Sequence, residues 1–207
     1  MPDGDTKSFY PQWSPDGKYI AVLTAQSKVS SAAGSSGIGW RDYDLVYGED
    51  SPLAAAQSIT ILDAGGTKVT SVGLDDRMVA YPLWSADSST LGFFGATKAN
   101  DAYPGIRLDS VWTARMSGAS SSATSLVPEK IADFPPDGGE TSYADAILTP
   151  DGNGVYFHTG AYEQNLLWFA AKDKAPVEVL PDKRVTFAVQ GTSMGVFGDS
   201  IVATASW

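Results

Sequence analysis

Tyr10-Pro11-Gln12-Trp13-Ser14-Pro15-Asp16-Gly17-Lys18-Tyr19-Ile20-Ala21-Val22 is the first of three copies of one strand–turn–strand unit in this 207-residue chain. The second reads Tyr81-Pro82-Leu83-Trp84-Ser85-Ala86-Asp87-Ser88-Ser89-Thr90-Leu91-Gly92-Phe93. The third reads Ala146-Ile147-Leu148-Thr149-Pro150-Asp151-Gly152-Asn153-Gly154-Val155-Tyr156-Phe157. The turn aspartates Asp16, Asp87 and Asp151 stand 71 and 64 residues apart. Hairpins repeating at a period of that size predict a radial repeat fold.

The repeated residues suit a tight turn. An apolar residue (Trp13, Trp84, Leu148) ends the first strand, and a hydroxyl follows (Ser14, Ser85, Thr149). Pro15 and Pro150 preset φ for the turn, and an aspartate hydrogen-bonds its own backbone two residues on. Gly17 and Gly152 take a positive φ without strain. The second copy carries Ala86 and Ser88 at these places and keeps Asp87. Three carboxylates at repeating positions could also serve a cation. The hydroxyl and glycine repeat with them, which assigns the aspartates to turn chemistry.

Each hairpin is followed by a third strand-like run: Ser58-Ile59-Thr60-Ile61-Leu62-Asp63, Ser110-Val111-Trp112-Thr113-Ala114 and Leu166-Leu167-Trp168-Phe169-Ala170. A more polar fourth run closes each unit, at 67–72, 123–127 and 176–180. Short β-branched and aromatic runs between Gly, Pro, Asp and Ser clusters read as strands, and the polar fourth run reads as an exposed edge. Four antiparallel strands per unit make a β-propeller blade. The fold class is therefore all-β: a partial propeller of about three and a half blades. The chain is expected to be one domain, 1–207, with blades at about 8–73, 77–128 and 141–181 and an incomplete one at 183–207. The last has strands at 185–189 and 200–204.

The Trp-Ser-Pro-Asp-Gly turn followed by an apolar strand resembles the blades of TolB-like proteins and of the N-terminal propeller of the prolyl oligopeptidase family. Residues 10–22 match closely, 81–94 and 147–158 match with substitutions, and the last unit matches in strand pattern alone. Propellers of this kind close with six to eight blades, and an open arc leaves inter-blade faces uncovered at its ends. The expectation is a fragment of a larger propeller, because the last residues fall inside a blade, or else self-association that completes the ring.

Bulk composition narrows the partners. Lys+Arg 14 against Asp+Glu 24 gives a net charge of −10 and a pI of about 4.4. An acidic surface repels phosphate backbones, so nucleic acid is excluded as an expected partner. With no cysteine there is no disulfide framework and no thiolate zinc site. No apolar run reaches the length of a membrane-spanning helix. Met1-Pro2-Asp3-Gly4-Asp5 is polar and does not read as a signal peptide. The absence of cysteine fits either a cytoplasmic or an exported protein, and the Ser/Ala/Gly-rich, lysine-poor composition leans to an exported, periplasmic bacterial one.

Gly191-Thr192-Ser193-Met194-Gly195 fits G-x-S-x-G, the nucleophile elbow of α/β-hydrolases. The elbow needs a helix after the serine, yet Gly198-Asp199 and the β-like run from Ser200 follow. A triad also needs a histidine base, and the one histidine, His158, precedes the serine and closes a strand. Ser193 is therefore read as a turn residue and His158 as a structural one. No catalytic residue, metal ligand or cofactor is expected in the chain.

A long insertion separates the second and third strands of blade one. Its first half, 30–39, is linker-like; its second half holds Trp40, Asp42, Tyr43, Asp44, Tyr47 and Glu49. Loops this long in a compact domain are usually functional or disordered. The insertion reads as packing or a short hairpin extension, as a partner or domain contact, or as a ligand site, since aromatics among acidic groups suit protein docking or an amine-bearing ligand. A shorter insertion in blade two, with Tyr103 and Arg107, joins the equivalent strands and is expected on the same face. These eight residues are the candidate binding set.

The resemblance implies a function. In the prolyl oligopeptidase family the propeller carries no catalytic residue; it covers a separate C-terminal α/β-hydrolase domain and restricts access to short peptides. This chain would then be a module for peptide or protein binding or substrate gating within a serine peptidase. In TolB-like proteins the propeller is a periplasmic interaction platform, the alternative reading. A propeller enzyme such as a sugar lyase or glutaminyl cyclase needs clustered histidine, glutamate or metal ligands, which a chain with one histidine lacks.

Overall fold

The computed structural model describes residues 6–26, 56–75, 77–98, 106–116, 125–134, 146–159, 166–179, 194–197 and 200–203. Among them there is no α-helix. Blade one is built from β1 (Thr6–Trp13), β2 (Tyr19–Gln26), β3 (Ala56–Asp63) and β4 (Lys68–Gly73). Blade two has β5 (Met78–Trp84), β6 (Thr90–Lys98), β7 (Ile106–Arg115) and β8 (Glu129–Asp133). Blade three has β9 (Ala146–Leu148), β10 (Gly154–Thr159), β11 (Leu166–Ala171) and β12 (Val177–Glu178). Each blade is a four-stranded antiparallel sheet whose strands lie in chain order, and a further hairpin pairs β13 (Met194–Phe197) with β14 (Ser200–Ala203). The sheets are open and not closed into a barrel. This is the all-β architecture of partial propeller blades.

Burial separates the strands by position. β4 alternates buried and half-buried residues, as a strand with one covered face must. In β6 every residue from Thr90 to Ala96 is buried, so the middle blade is covered on both faces. Leu23, Ile59, Ile61, Leu91, Phe93, Phe94, Val111 and Phe157 are fully buried and form one continuous core across the blades. The first strands are neighbours in succession: β5 touches β1, β9 touches β5, and β13 touches β9.

The three turns share one hydrogen-bond pattern. Ser14, Ser85 and Thr149 hydroxyls donate to Asp16, Asp87 and Asp151 at 2.7, 2.7 and 2.5 Å. Each hydroxyl oxygen also accepts the amide five residues on, from Tyr19, Thr90 or Gly154, at 2.9 Å. Each carboxylate accepts the amide two residues on, from Lys18, Ser89 or Asn153. Gly17 and Gly152 have φ of 70° and 67°, and Ser88 takes φ 62° at the same place. Ser88 tolerates that conformation while its hydroxyl accepts the Asp16 amide of blade one at 3.0 Å.

These bonds favour the ionised carboxylates. The neighbouring hydroxyls, then the Lys18 ammonium for Asp16 and the backbone amides for Asp87 and Asp151, hold all three carboxyls below the ordinary 3.8. A carboxyl depressed on folding stabilises the fold above its unfolded pKa, and that stabilisation disappears as pH falls through the folded value. The urea midpoint is expected to be flat from neutrality to about pH 5 and to decline below about pH 4. The triple Asp→Asn variant should be less stable at neutrality and lose part of that slope. A midpoint unchanged down to pH 3 would contradict it.

Blade-to-blade contacts are specific. The Trp84 indole N–H donates to the Gln12 carbonyl at 3.1 Å and its ring stacks on Tyr19. Arg115 reaches Asn153 at 2.7 Å, and the Lys172 ammonium pairs with Glu129. Two strand positions differ from the sequence expectation. The fourth strand of blade two is β8, Glu129–Asp133, and not 123–127. There the Leu126 amide donates to the Ser71 carbonyl of blade one at 2.7 Å, Val127 is exposed, and Pro128 offers no N–H for a ladder. The third strand, β7, begins at Ile106, four residues before Ser110. The expected strand at 185–189 lies outside the described residues.

Candidate functional site

The second-to-third strand connections leave from one edge of the sheets, where β2 ends and β3 begins in blade one and β6 ends and β7 begins in blade two. A cavity of about 650 Å³ opens at this edge, lined by Gln57, Gly73, Asp75, Arg77, Met78 and Thr97 among others. Its walls come from the blade one–blade two junction.

Arg77 lines this cavity. Its guanidinium donates to Asp109 at 2.9 Å, and Asp109 also accepts from the Ser110 hydroxyl at 2.6 Å. The Trp112 indole donates to Ser110 at 2.8 Å. Gly95 makes room for this chain of groups, since a Cβ there would lie 2.8 Å from the Trp112 indole nitrogen and 3.1 Å from Arg77 Cδ. A half-buried, carboxylate-held guanidinium is preorganised for carbonyl or carboxylate oxygens of a ligand. Asp109 carried no signal in the sequence, since it stands in a strand that also holds Arg107, Ser110, Thr113 and Arg115. Arg77, 32 residues away in a connection, carried none either.

The second concavity, about 440 Å³, lies along the first strands, lined by Tyr10, Gln12, Trp13, Tyr81, Trp84 and Phe94 among others. Here the repeat departs from regular strand. Tyr10-Pro11 oppose one residue of β2, and Tyr81-Pro82 oppose one residue of β6, so each first strand carries a β-bulge. Tyr10 and Tyr81 have φ of 55° and 47°, in the left-handed region and directly before proline. Their rings meet edge to face at 5.8 Å, and the contact continues from Tyr81 through Phe94 and Phe134 to Phe157. An aromatic seam therefore runs through three blades beneath this groove.

The sequence candidates Trp40, Asp42, Tyr43, Asp44, Tyr47, Glu49 and Tyr103 lie outside the described residues. Arg107 lies in β7 opposite Thr97, which places its backbone at the cavity edge. His158 lies in β10 opposite Leu167. Ser193 is outside the described residues, but Met194, the next residue, opens a β-strand where a nucleophile elbow requires a helix. Trp112 and Trp168 both pack against the core. The Ser14–Asp16, Ser85–Asp87 and Thr149–Asp151 pairs are turn contacts in which the hydroxyl is the donor. Among the described residues no group of three or more His, Asp or Glu side chains is placed to hold a metal ion.

The sequence matches no protein-family model and no curated protein. Solved structures do match. A prolyl endopeptidase, one of two analysed for inter-domain dynamics in catalysis and specificity, aligns over 99% of this chain at 13% identity, with a TM-score of 0.51. Prolyl oligopeptidase B from Galerina marginata, bound to a 25mer macrocyclization substrate, aligns over 99% at 12% identity and a TM-score of 0.53. A Mycobacterium tuberculosis puromycin-hydrolyzing peptidase aligns over 97% at 12% identity and a TM-score of 0.50. The shared fold is a run of propeller blades. The chain spans only about a quarter of those proteins, 26%, 26% and 28% of their lengths.

Proposed function

We propose that this chain is a non-catalytic β-propeller module of a serine peptidase of the prolyl oligopeptidase type. It binds peptide or protein and gates access to a separate α/β-hydrolase domain of the same protein. The observation that carries this reading is the fold match over 97–99% of the chain to three peptidases several times its length. The cavity of about 650 Å³ at the insertion edge supports it, as a concavity between blades one and two with Arg77 in its lining. The insertions of the sequence with Trp40, Asp42, Tyr43, Asp44, Tyr47 and Glu49 and with Tyr103 join strands that end at this edge, and Arg107 stands near the start of β7; in this reading they supply the docking groups.

Activity labelling tests the reading. Antibody against this chain should capture from its native source a protein that reacts with a fluorophosphonate, and the labelled serine should lie outside residues 1–207. The isolated chain should take no label, with Ser193→Ala making no difference. Capture of a protein that takes no label would overturn the proposal, and so would a label on Ser193.

A further inference from the structure

The blade three turn ends on Asn153-Gly154, the kind of dipeptide from which a side-chain amide is lost most readily. The chain has three asparagines, and the other two precede Asp101 and Leu166. With no side chain on the following residue, its amide nitrogen meets least hindrance in reaching the asparagine Cγ. Packing imposes the glycine. A Cβ on Gly154 would stand 2.8 Å from the Phe169 ring and 3.2 Å from the Ala170 carbonyl oxygen. The repeat imposes a donor before it. Lys18, Ser89 and Asn153 hold equivalent places, and each directs a side-chain donor at its turn aspartate, Asp16, Asp87 or Asp151, at 3.0, 2.8 and 2.9 Å. Asn153 also reaches another blade: its Oδ1 accepts from the Arg115 guanidinium of blade two at 2.7 Å.

We propose that Asn153 is a site of spontaneous deamidation, held closed by the blade three turn, whose reaction loosens the joint between blades two and three. The reaction needs water alone. The Gly154 nitrogen gives its proton to hydroxide and attacks Asn153 Cγ; the N–Cγ bond forms, the Cγ–Nδ2 bond breaks, and ammonia leaves. Water then opens the five-membered imide, at Cγ to leave an aspartate or at the main-chain carbonyl to leave an isoaspartate. The folded turn opposes the first step at both reacting groups. The Gly154 N–H donates to the Thr149 hydroxyl at 2.9 Å, and the Asn153 side chain is held from two sides by Asp151 and Arg115. Ring closure removes the Gly154 proton and the Asn153 Nδ2, and with them the bonds to Thr149 and Asp151. The reaction therefore proceeds through local opening of the turn. Its product cannot restore the contacts. A carboxylate at 153 has no donor for Asp151 and repels it. An isoaspartate lengthens the main chain by one carbon just before Gly154, which pairs with Ala171. The site stands whether or not a hydrolase domain accompanies the chain.

Peptide mapping by mass spectrometry, on the 207-residue chain held at mildly alkaline pH, reads the reaction as a gain of one mass unit on the peptide bearing Asn153. The gain should be at least about tenfold slower in the folded chain than in urea. Thr149→Val should speed it several-fold in the folded chain and leave the rate in urea unchanged. Arg115→Ala, which removes an exposed contact, should speed it about twofold. Ser85→Ala takes the equivalent hydroxyl from the blade two turn and should leave the rate at Asn153 unchanged. The modified fraction, separated by its added negative charge, should melt below the unmodified one. Equal rates in the folded and unfolded chain would overturn the proposal, as would a gain at Asn100 or Asn165 that outpaces Asn153. So would acceleration by Ser85→Ala as large as that by Thr149→Val, which would put the gate in global unfolding, or a modified fraction that melts with the parent.

Discussion

Phe157→Ala is expected to cost about 3–5 kcal/mol of unfolding free energy, the range for removing a fully buried aromatic ring. Phe157 is completely buried, and its ring stacks on Phe134 at 4.8 Å and 18°. Phe134 meets Phe94 edge to face at 5.7 Å, so one ring joins blade three to the centre of blade two. Truncation removes the transfer free energy of the ring and opens a cavity between two sheets that cannot close independently. Repeat folds gain stability from such nearest-neighbour contacts, so the loss should also reduce cooperativity. Urea denaturation followed by tryptophan fluorescence and by circular dichroism is the measurement. The two probes should coincide in the parent chain and separate in the variant, as blade three uncouples. Tyr156→Ala, removing a half-buried ring tilted against Phe169 within the same blade, should cost less and leave the probes together. A loss below about 1 kcal/mol for Phe157→Ala would mean that the seam is not an energetic joint.

The blades were legible because their signal is local. Strand, hydroxyl, aspartate and a positive-φ residue lie within a dozen positions, and each predicts its neighbour's backbone. The hydrogen bonds around Asp16, Asp87 and Asp151 follow from that spacing alone. The fourth strand of blade two was misplaced because Ser, Thr, Leu and Val at 123–127 carry strand propensity. Which run pairs with β7 is decided by burial of Ile131 and Ala132 and by the bond from Leu126 to Ser71 of another blade. Propensity cannot see a contact between blades. The same limit applies to the cavity. Arg77, Asp109, Ser110 and Trp112 are joined by register and by the absence of a side chain at Gly95, and no linear motif announces them. The bulges at Tyr10 and Tyr81 could have been anticipated, because a proline inside a strand has no amide for the ladder and belongs at a bulge.

Gly152→Ala should be the most costly single-methyl change among the turn residues, at about 2–4 kcal/mol. Two terms contribute. At φ 67° an alanine pays the left-handed penalty of roughly 1–2 kcal/mol. Its Cβ would also stand 2.6 Å from the Thr90 hydroxyl and 2.8 Å from Thr90 Cβ, in the buried seam between blades two and three. A β-branched residue fixed in a strand gives way only if the turn moves, and the turn is tied down by the Thr149 and Asp151 bonds. Gly17 separates the terms, because it has φ 70° and nothing within 4 Å of the place a Cβ would take. Gly17→Ala should therefore show the conformational penalty alone. The difference between the two variants measures how tightly blade three's turn is pressed on blade two. In the pair Gly152→Ala with Thr90→Gly, the clash term should vanish and the coupling should be clearly favourable by double-mutant cycle. Equal losses at Gly17 and Gly152 would mean that the two blades sit further apart than the contacts of Thr90 require.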